Sequence, residues 1–430
     1  SCMTGGCRIS TFMRVSVAQM PLLYQCSDCI CTKIDFLKMT TAAVATHRTA
    51  RYTGRMSNAT TGAAAPDYII AAEHLTKRFT LDAGFFAKND RFVYAVNDVS
   101  FGIERGKTYG LVGESGCGKT TTARLLVRMY RADGGRILYT PRADGTPAHG
   151  GATAAGAASS GIAASAPHAD GAAVADASDI VASSPPAPAA EDILRYDRRQ
   201  LRRYREKIKY VFQDPSRSLN PRMTVFNILT ASYRYSSLWP GKPRAYDEAA
   251  RIMEEVGLDP SDLERRPGEF SGGQRQRISI ARGLIMQPEM LFCDEVVSAL
   301  DVSVQSQILN LLQDIRASRG ISFLFIAHDL RVSCYFCDTI GVMYRGMLVE
   351  EAPAADLYQS AAHPYTRLLF ADSRADGAPA ATGGEVKTAL ETLTGCPFAH
   401  RCPHATETCR SQIPAWKTIS DSHKVRCVLE

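Results

Sequence analysis

The chain has 430 residues, enough for one large core or two domains, and a formal net charge of +6 at pH 7. This charge is near balance, so the composition does not indicate a general electrostatic attraction to nucleic acid. No run of about 18 apolar residues occurs, and the sequence therefore predicts no transmembrane helix. If the protein works at a membrane, other chains must supply the spanning segments.

Two segments differ in composition from the rest of the chain. Residues 1–65 mix Thr, Ala, Met and Cys without periodicity and contain few acidic residues. They are predicted to be disordered, or to be a mis-assigned extension before a true start at Met56. Residues 141–190 are rich in Ala, Gly, Pro and Ser and lack the large apolar side chains that offset ordering entropy. This second segment is predicted to be a disordered insertion in a surface loop.

A glycine-rich loop lies between a predicted strand, Thr108–Val112, and a predicted helix, Thr121–Tyr130. It fits the pattern G-x-x-x-x-G-K-[ST], in which backbone N–H groups form an anion nest, lysine reaches the β- and γ-phosphates and threonine ligates Mg²⁺. The alternative is a glycine-rich turn that binds nothing, and it is disfavoured because every fixed position is present in the required context. The candidate nucleotide-binding residues are Gly113, Glu114, Ser115, Gly116, Cys117, Gly118, Lys119, Thr120 and Thr121.

Two residues outside the loop are candidates because of their placement. Phe79 follows a predicted strand, Tyr68–Ala72, and is placed like an aromatic side chain that stacks on the base of a nucleotide. The alternative for Phe79 is an ordinary core phenylalanine. Gln213 follows the apolar run Tyr210–Phe212, and a glutamine at such a strand end can sense Mg²⁺ and the attacking water.

Two later apolar strands end in residues suited to phosphate chemistry. The first runs into Asp294 and Glu295, the Walker B pattern, in which the aspartate holds Mg²⁺ through water and the glutamate is the general base. The second, Ile321–Ala327, is followed by His328, which can bond the γ-phosphate and the water. Each residue alone is more often structural, but the shared position at strand ends makes the set specific. The predicted Mg²⁺ set is Thr120, Gln213 and Asp294.

A second anion site is predicted where Ser271, Gly272, Gly273 and Gln274 open a helix, Arg275–Met286. One nucleotide has no evident need for two such sites in one chain. The favoured interpretation is contact with the γ-phosphate held by another subunit, which implies a head-to-tail dimer. Asp301 follows soon afterwards and is expected to touch the same partner. The alternative is a simple N-cap, which accounts for the serine but not for the whole motif.

These motifs together resemble an ABC-type ATPase cassette across Tyr68–Leu369, apart from the insertion. Further segments are similar to the oligopeptide/dipeptide importer branch: Val211–Pro215, Ser218–Val225, Ser298–Gln305 and His363–Thr366. The resemblance implies an α/β fold with a mainly parallel core sheet, helices and an antiparallel β subdomain. It places the cassette at 66–345, a helical subdomain at about 216–285, and a small Cys-containing C-terminal extension at 346–430.

The resemblance also implies a function, namely hydrolysis of ATP with Mg²⁺ to power import of peptides or related small solutes. The implied partners are two membrane permeases, a second and often non-identical ATPase subunit, and an extracytoplasmic substrate-binding protein, with this chain at the cytoplasmic face of the membrane. Carried over by position, Gln213 senses the permease, Glu295 is the base and His328 is the switch histidine. Val296 departs from the proline that the family usually has there, which leaves the turn less rigid.

A different class, a soluble ABC ATPase acting on nucleic acid or ribosomes, is the alternative function. Such proteins usually carry two cassettes in one chain or large inserted DNA-binding modules. This chain has one cassette and a featureless insertion, so no nucleic-acid partner is predicted.

The C-terminal residues Cys396, Cys402, Cys409 and Cys427 suggest a metal centre more than disulfides in a cytosolic protein. Zinc prefers closely spaced cysteine pairs, which are absent here, whereas a four-cysteine iron–sulfur cluster tolerates wider spacing. The resemblance adds that some importer ATPases of this branch carry a [4Fe–4S] cluster. The predicted order is a [4Fe–4S] cluster, then zinc with His400 and His404 as substitute ligands, then unliganded thiols.

Overall fold

The computed structural model describes residues 67–81, 91–142, 189–298, 300–372 and 394–429, which belong to one compact unit. The predicted extension at 1–65 and most of the predicted insertion at 141–190 lie outside these residues. Within the described ranges, no helix combines the length and the apolar character needed to cross a membrane.

A four-stranded antiparallel sheet has the strand order β2-β1-β4-β5. The first strand is longer than the predicted Tyr68–Ala72, because after register shifts around Leu75 it continues to pair with the start of the second. Strands β4 and β5 pair with Tyr139 opposite Glu191, so the chain between these two residues connects neighbouring strands. The strands are β1 (Tyr68–Leu81), β2 (Arg91–Glu104), β4 (Gly134–Tyr139) and β5 (Glu191–Asp192).

The larger sheet has eight strands in the order β11-β12-β10-β9-β3-β8-β7-β6. The pairs from β9 across to β6 are parallel, and the others are antiparallel. Every residue of β3, β7 and β8 is buried, as parallel strands covered on both faces require. The strands are β3 (Thr108–Val112), β6 (Ile208–Val211), β7 (Met290–Asp294), β8 (Ser322–Ala327), β9 (Thr339–Tyr344), β10 (Met347–Pro353), β11 (Lys417–Ser420) and β12 (His423–Val425).

Helices cover this sheet and fill the chain between β6 and β7. The regular structure of that connection consists of helices and 3₁₀ turns, without a strand. The helices are α1 (Lys119–Leu126), α2 (Arg198–Lys207), α3 (Pro215–Ser218), α4 (Val225–Thr230), α5 (Lys242–Glu255), α6 (Gly272–Leu284), α7 (Val302–Arg319), α8 (Leu330–Phe336), α9 (Ala354–Ser360), α10 (Pro364–Asp372) and α11 (Glu407–Ser411).

Two helix boundaries differ from the predictions. Helix α1 begins two residues before the predicted Thr121 and ends at Leu126, since Arg128 has a left-handed backbone with φ 58°. Helix α6 begins three residues before the predicted Arg275, because Ser271 caps it.

The expected α/β class with parallel and antiparallel sheets is confirmed. A separate small Cys-containing extension is not confirmed, because β12 pairs with β10 and so extends the core sheet. The C-terminal segment is therefore built into the same layer that carries β3 and β9.

Candidate active site

The candidate site lies at one edge of the large sheet, where four parallel strands end. Val112 of β3 lies opposite Ala327 of β8, and Asp294 of β7 lies opposite Ile326. The carboxyl ends of β3, β8, β7 and β6 therefore share one edge, the usual location of ligand sites in open α/β sheets. The chain continues from these ends into the phosphate loop, His328, Glu295 and Gln213 respectively.

Two glycines of the phosphate loop are required by close backbone approaches. Gly113 has φ 156°, and a Cβ there would collide with the carbonyl oxygen of Met343. Gly118, the residue before α1, has φ 111°, and a Cβ there would collide with the carbonyl oxygen of Ala95. Only glycine accommodates both the left-handed backbone and the contact.

Lys119 is buried beneath the loop, with 4% of its surface exposed. Its ammonium donates to the carbonyl oxygens of Gly113 (2.6 Å) and Glu114 (3.0 Å). The Cys117 thiol lies 3.8 Å from the same ammonium, and burial raises the pKa of that thiol. The loop is thus curled around one buried cation, which is the arrangement needed to attract phosphate oxygens.

Thr120 and Asp294 meet across the start of α1 and the end of β7. The Thr120 hydroxyl donates to Oδ1 of Asp294 at 2.9 Å, and the Tyr210 hydroxyl donates to Oδ2 at 2.6 Å. Asp294 is buried, with 2% of its surface exposed. These hydroxyl and carboxylate oxygens are the hard ligands that Mg²⁺ prefers, so the donor set fits the predicted ion.

Glu295 and Gln213 form the second pair at this edge. The Gln213 side-chain amide donates to Oε2 of Glu295 at 2.6 Å, and the Glu295 backbone N–H donates to Ile326 at 3.0 Å. Glu295 has φ 48°, a left-handed conformation that is strained for a residue with a Cβ. The next residue, Val296, is buried.

His328 lies immediately after β8, at the same edge, and its side chain is exposed. The structure thus brings the phosphate loop, Gln213, Asp294, Glu295 and His328 to one edge. The motif Ser271–Gln274 is not joined to them, since no hydrogen bond or ion pair in the described ranges links it to the phosphate loop.

The motif Ser271–Gln274 forms a complete capping box. The Ser271 hydroxyl accepts from the Gln274 backbone at 3.3 Å, and the Gln274 side chain accepts from the Ser271 backbone at 2.9 Å. A helix cap therefore accounts for the glutamine as well as the serine, but not for the two glycines between them. Capping leaves Gly272 unexplained, since a Cβ there would meet nothing within 4 Å.

Asp301 and Phe79 are both accessible. Asp301 is exposed at the start of α7 and makes no side-chain cap. Phe79 on β1 is 37% exposed and contacts Tyr130 edge-to-face, with 5.6 Å between ring centroids. The alternative of an ordinary core phenylalanine is therefore wrong.

The four C-terminal cysteines share one small cavity. Burial raises the pKa of Cys396 to about 11, and the Cys409 sulfur is 3.2 Å from the Thr406 hydroxyl. In the described part of the chain, no three His, Cys, Asp or Glu side chains form a group that could hold a metal ion. The described residues therefore do not support the predicted [4Fe–4S] cluster or the alternative of zinc.

Sequence reasoning missed three residues that contact the site. Tyr210 bonds Asp294, and its signal in the sequence is a phenol in the short run Tyr210–Phe212 before Gln213. Arg401 and Tyr365 both bond Glu114 of the phosphate loop. No sequence signal could have connected these two with a residue more than 250 positions away.

The fold and this edge define a P-loop ATPase. Residues 96–163 and 180–298 match the family model "ABC transporter", and residues 349–409 match "Oligopeptide/dipeptide transporter, C-terminal region". The solved structure of cbiO1 from Clostridium perfringens, part of the ABC transporter complex cbiONQ, is 21% identical, with a TM-score of 0.48, and the alignment covers 68% of this chain and 92% of that one.

Two curated relatives match most of the chain. The probable peptide ABC transporter ATP-binding protein y4tS of Sinorhizobium fredii (strain NBRC 101917 / NGR234) is 36% identical, covering 84% of this chain and 90% of that protein. The oligopeptide transport ATP-binding protein AppF of Bacillus subtilis (strain 168) is 34% identical, and the alignment covers 85% of this chain and 99% of that protein. The chain belongs to the ATP-binding proteins of the ABC transporter family. The alternative of a soluble nucleic-acid ATPase is not favoured, because residues 349–409 match a transporter region.

Proposed function

We propose that this chain hydrolyses Mg-ATP to power import of peptides, or of related small solutes, through partner permeases. The observation that carries the proposal is the meeting of four chemically suited groups at one sheet edge: Lys119, the Thr120–Asp294 pair, the Gln213–Glu295 pair and His328. The C-terminal match to an oligopeptide/dipeptide transporter region and the names of the relatives support peptides as the solute class.

The proposed binding step uses the phosphate loop. Backbone N–H groups of Ser115–Thr120 and the Lys119 ammonium hold the phosphates, and Phe79 stacks on the base. Thr120, Gln213 and Asp294 would hold Mg²⁺, which would supply charge neutralisation for the phosphates.

The proposed hydrolysis step is attack of water on the γ-phosphorus, with ADP as the leaving group. Glu295 accepts the proton from the water, Gln213 orients the Glu295 carboxylate, and His328 donates to a γ-phosphate oxygen. The 2.6 Å contact between Gln213 and Glu295 supports this assignment, because the proposed base and the proposed ion sensor are hydrogen-bonded to each other.

A second ATPase subunit completes the site in this proposal. Ser271, Gly272, Gly273 and Gln274, with Asp301, face the nucleotide of the partner. The exposed Gly272 supports this role, because no contact in the described part of this chain requires a glycine there. A non-identical partner is part of the proposal.

The remaining partners follow from the transporter class. We assign the cassette to 66–345 and the C-terminal extension to 346–430, with two permeases, an extracytoplasmic binding protein and a position at the cytoplasmic face of the membrane. A metal role for the four cysteines is left out of the proposal, because the described donors do not form a metal-binding group.

The test is the variant Glu295→Gln in the full chain. We expect ATP turnover to fall at least a hundredfold while ATP binding persists, because the isosteric amide cannot accept the proton. The matched control is Glu254→Gln on α5, an exposed carboxylate whose loss should leave turnover unchanged. Normal hydrolysis by Glu295→Gln would refute the assignment of the base.

A further inference from the structure

The second residue of the phosphate loop, Glu114, is held by two residues from the C-terminal part of the chain. Nη1 of Arg401 donates to both carboxylate oxygens of Glu114, at 2.9 and 3.0 Å. The Glu114 backbone N–H donates to the Tyr365 hydroxyl at 2.9 Å. The main chain and the side chain of Glu114 are therefore both held by residues far away in the sequence.

The Arg401–Glu114 ion pair is largely withdrawn from solvent. The Arg401 side chain is 11% exposed and the Glu114 side chain 23% exposed. Charge-assisted bonds of this kind contribute more than neutral ones, and removal of one partner leaves a poorly solvated charge. The pair therefore constrains the loop more than a surface ion pair would.

Buried hydrogen bonds fix the backbone around Tyr365. The backbone N–H groups of Ala362 and His363 donate to the fully buried Glu350, at 2.7 and 3.0 Å, and His423 contacts the same carboxylate at 2.8 Å. The Tyr365 backbone then donates to Nδ1 of His363 at 3.1 Å. A short chain of buried bonds thus connects β10 and β12 to the phosphate loop.

An aromatic cluster connects Tyr365 and Arg401, the two residues that hold Glu114. The rings of Tyr344, Tyr365 and Phe398 are mutually packed, with centroids 4.5 to 5.4 Å apart. Phe398 lies three residues before Arg401, whose guanidinium is 5.8 Å from the Phe398 ring centroid. Both residues that bond Glu114 therefore contact the same packed aromatic cluster, so a shift of one affects the other.

We propose that Arg401 and Tyr365 are positioning residues for nucleotide binding, which act through Glu114 to set the entry of the phosphate loop. This inference rests on the proposed ATP-binding function and deepens it. Neither residue touches the nucleotide. By holding Glu114, they hold the first peptide groups of the nest in place before ATP arrives, which lowers the ordering cost of binding.

The test measures the Kd of a fluorescent ATP analogue with Mg²⁺ for the full chain. We expect Arg401→Met to weaken binding about tenfold and Tyr365→Phe, which removes only the hydroxyl, to weaken it about threefold. The matched control is Arg410→Met, an exposed arginine of the same segment paired with Glu407, which should leave the Kd unchanged. Melting without nucleotide is recorded for every variant.

Conservative rescue separates positioning from packing. Arg401 bonds Glu114 through one nitrogen, and its Nε has no hydrogen-bond partner in the described structure, so Arg401→Lys should restore at least half of the lost affinity. If Arg401→Met fails to fold, Tyr365→Phe and Arg401→Lys still decide the question.

A Kd within twofold of wild type for both Arg401→Met and Tyr365→Phe would overturn the inference. So would equal weakening by Arg410→Met. Failure of the wild-type chain to bind the analogue would instead refute the proposed function, and the two failures are therefore distinguishable.

Discussion

Gln213 donates its side-chain amide to the carboxylate of Glu295 at 2.6 Å, across 82 positions of sequence. The contact joins the ends of the neighbouring parallel strands β6 and β7, where Val211 lies opposite Cys293. It links the residue proposed to sense the ion directly to the residue proposed as the base. Because the glutamate backbone is left-handed at this point, the amide bond also helps to hold a strained residue in place.

The first prediction concerns this bond. In Gln213→Ala the Glu295 carboxylate loses the side-chain hydrogen bond from Gln213, so we expect kcat for ATP hydrolysis to fall at least tenfold, with the Kd for ATP changed less than threefold. Steady-state kinetics and analogue binding measure the two quantities. Gln359→Ala, an exposed glutamine on α9, is the control. A loss seen only in ATP affinity would contradict this role.

The second prediction uses the strain at Glu295. Replacement by glycine, which adopts φ 48° freely, should raise the free energy of unfolding by up to about 1 kcal/mol while hydrolysis is lost. Glu295→Gln should lose hydrolysis without that stabilisation, since its backbone strain is unchanged. Denaturant unfolding of both variants measures the difference. Equal stability of the two variants would show that the left-handed backbone stores no strain.

The third prediction concerns Ser271–Gln274, the motif proposed to face a partner subunit. Gly272 is the first residue of α6, where an acidic side chain is favourable for the helix. In Gly272→Asp the new charge would face the γ-phosphate of a partner nucleotide, so we expect hydrolysis to fall at least tenfold with the fold intact. Gly268→Asp is the matched control, because a Cβ there also meets nothing within 4 Å. Equal activity of the two variants would contradict the proposed contact.

The fourth prediction is a pH dependence at Lys209 on β6. Burial lowers the pKa of Lys209 to about 8, and Glu206 opposes that shift. Between pH 8 and about 10.5 the unfolded chain binds more protons, so the destabilisation present at pH 7 fades as pH rises. Lys209→Met should therefore raise the free energy of unfolding by about 1–3 kcal/mol at pH 7.

At pH 10.5, Lys209→Met should raise the free energy of unfolding by almost nothing. The surrounding groove is lined by the charged side chains Arg198, Arg202, Arg205 and Glu206. Urea unfolding of both proteins at the two pH values makes the measurement. A gain independent of pH would assign the effect to packing and not to the buried charge.

The fifth prediction concerns the insertion. Strands β4 and β5 are antiparallel neighbours, so the chain that joins them needs to span only the distance between paired strands. Replacement of residues 143–188 by a short Gly-Ser linker should leave ATP hydrolysis within threefold of wild type. Stability should stay equal or rise by about 1 kcal/mol, since a shorter loop closes at lower entropy cost. A larger loss of hydrolysis would identify a functional element in the insertion.

Local patterns were enough to determine much of this protein. The phosphate loop, the strand ends that carry Asp294 and His328, and the helix opened by Ser271 are each defined by neighbours a few residues apart. Their backbone conformations follow from glycine, capping and apolar periodicity, which act over short stretches of chain. The sequence by itself therefore determined the chemistry of the candidate site and its order along the chain.

The tertiary structure alone decided which of these groups touch. Thr120 meets Asp294 across 174 positions, and Arg401 meets Glu114 across 287. Such contacts depend on strand order and on how elements pack, and no local spacing encodes them. The same packing placed the four cysteines around one cavity, where the described residues form no metal-binding group. It also brought Tyr365 and Arg401 into contact with the phosphate loop. Interactions between neighbouring residues determine the individual motifs, and long-range packing determines which of their side chains are in contact.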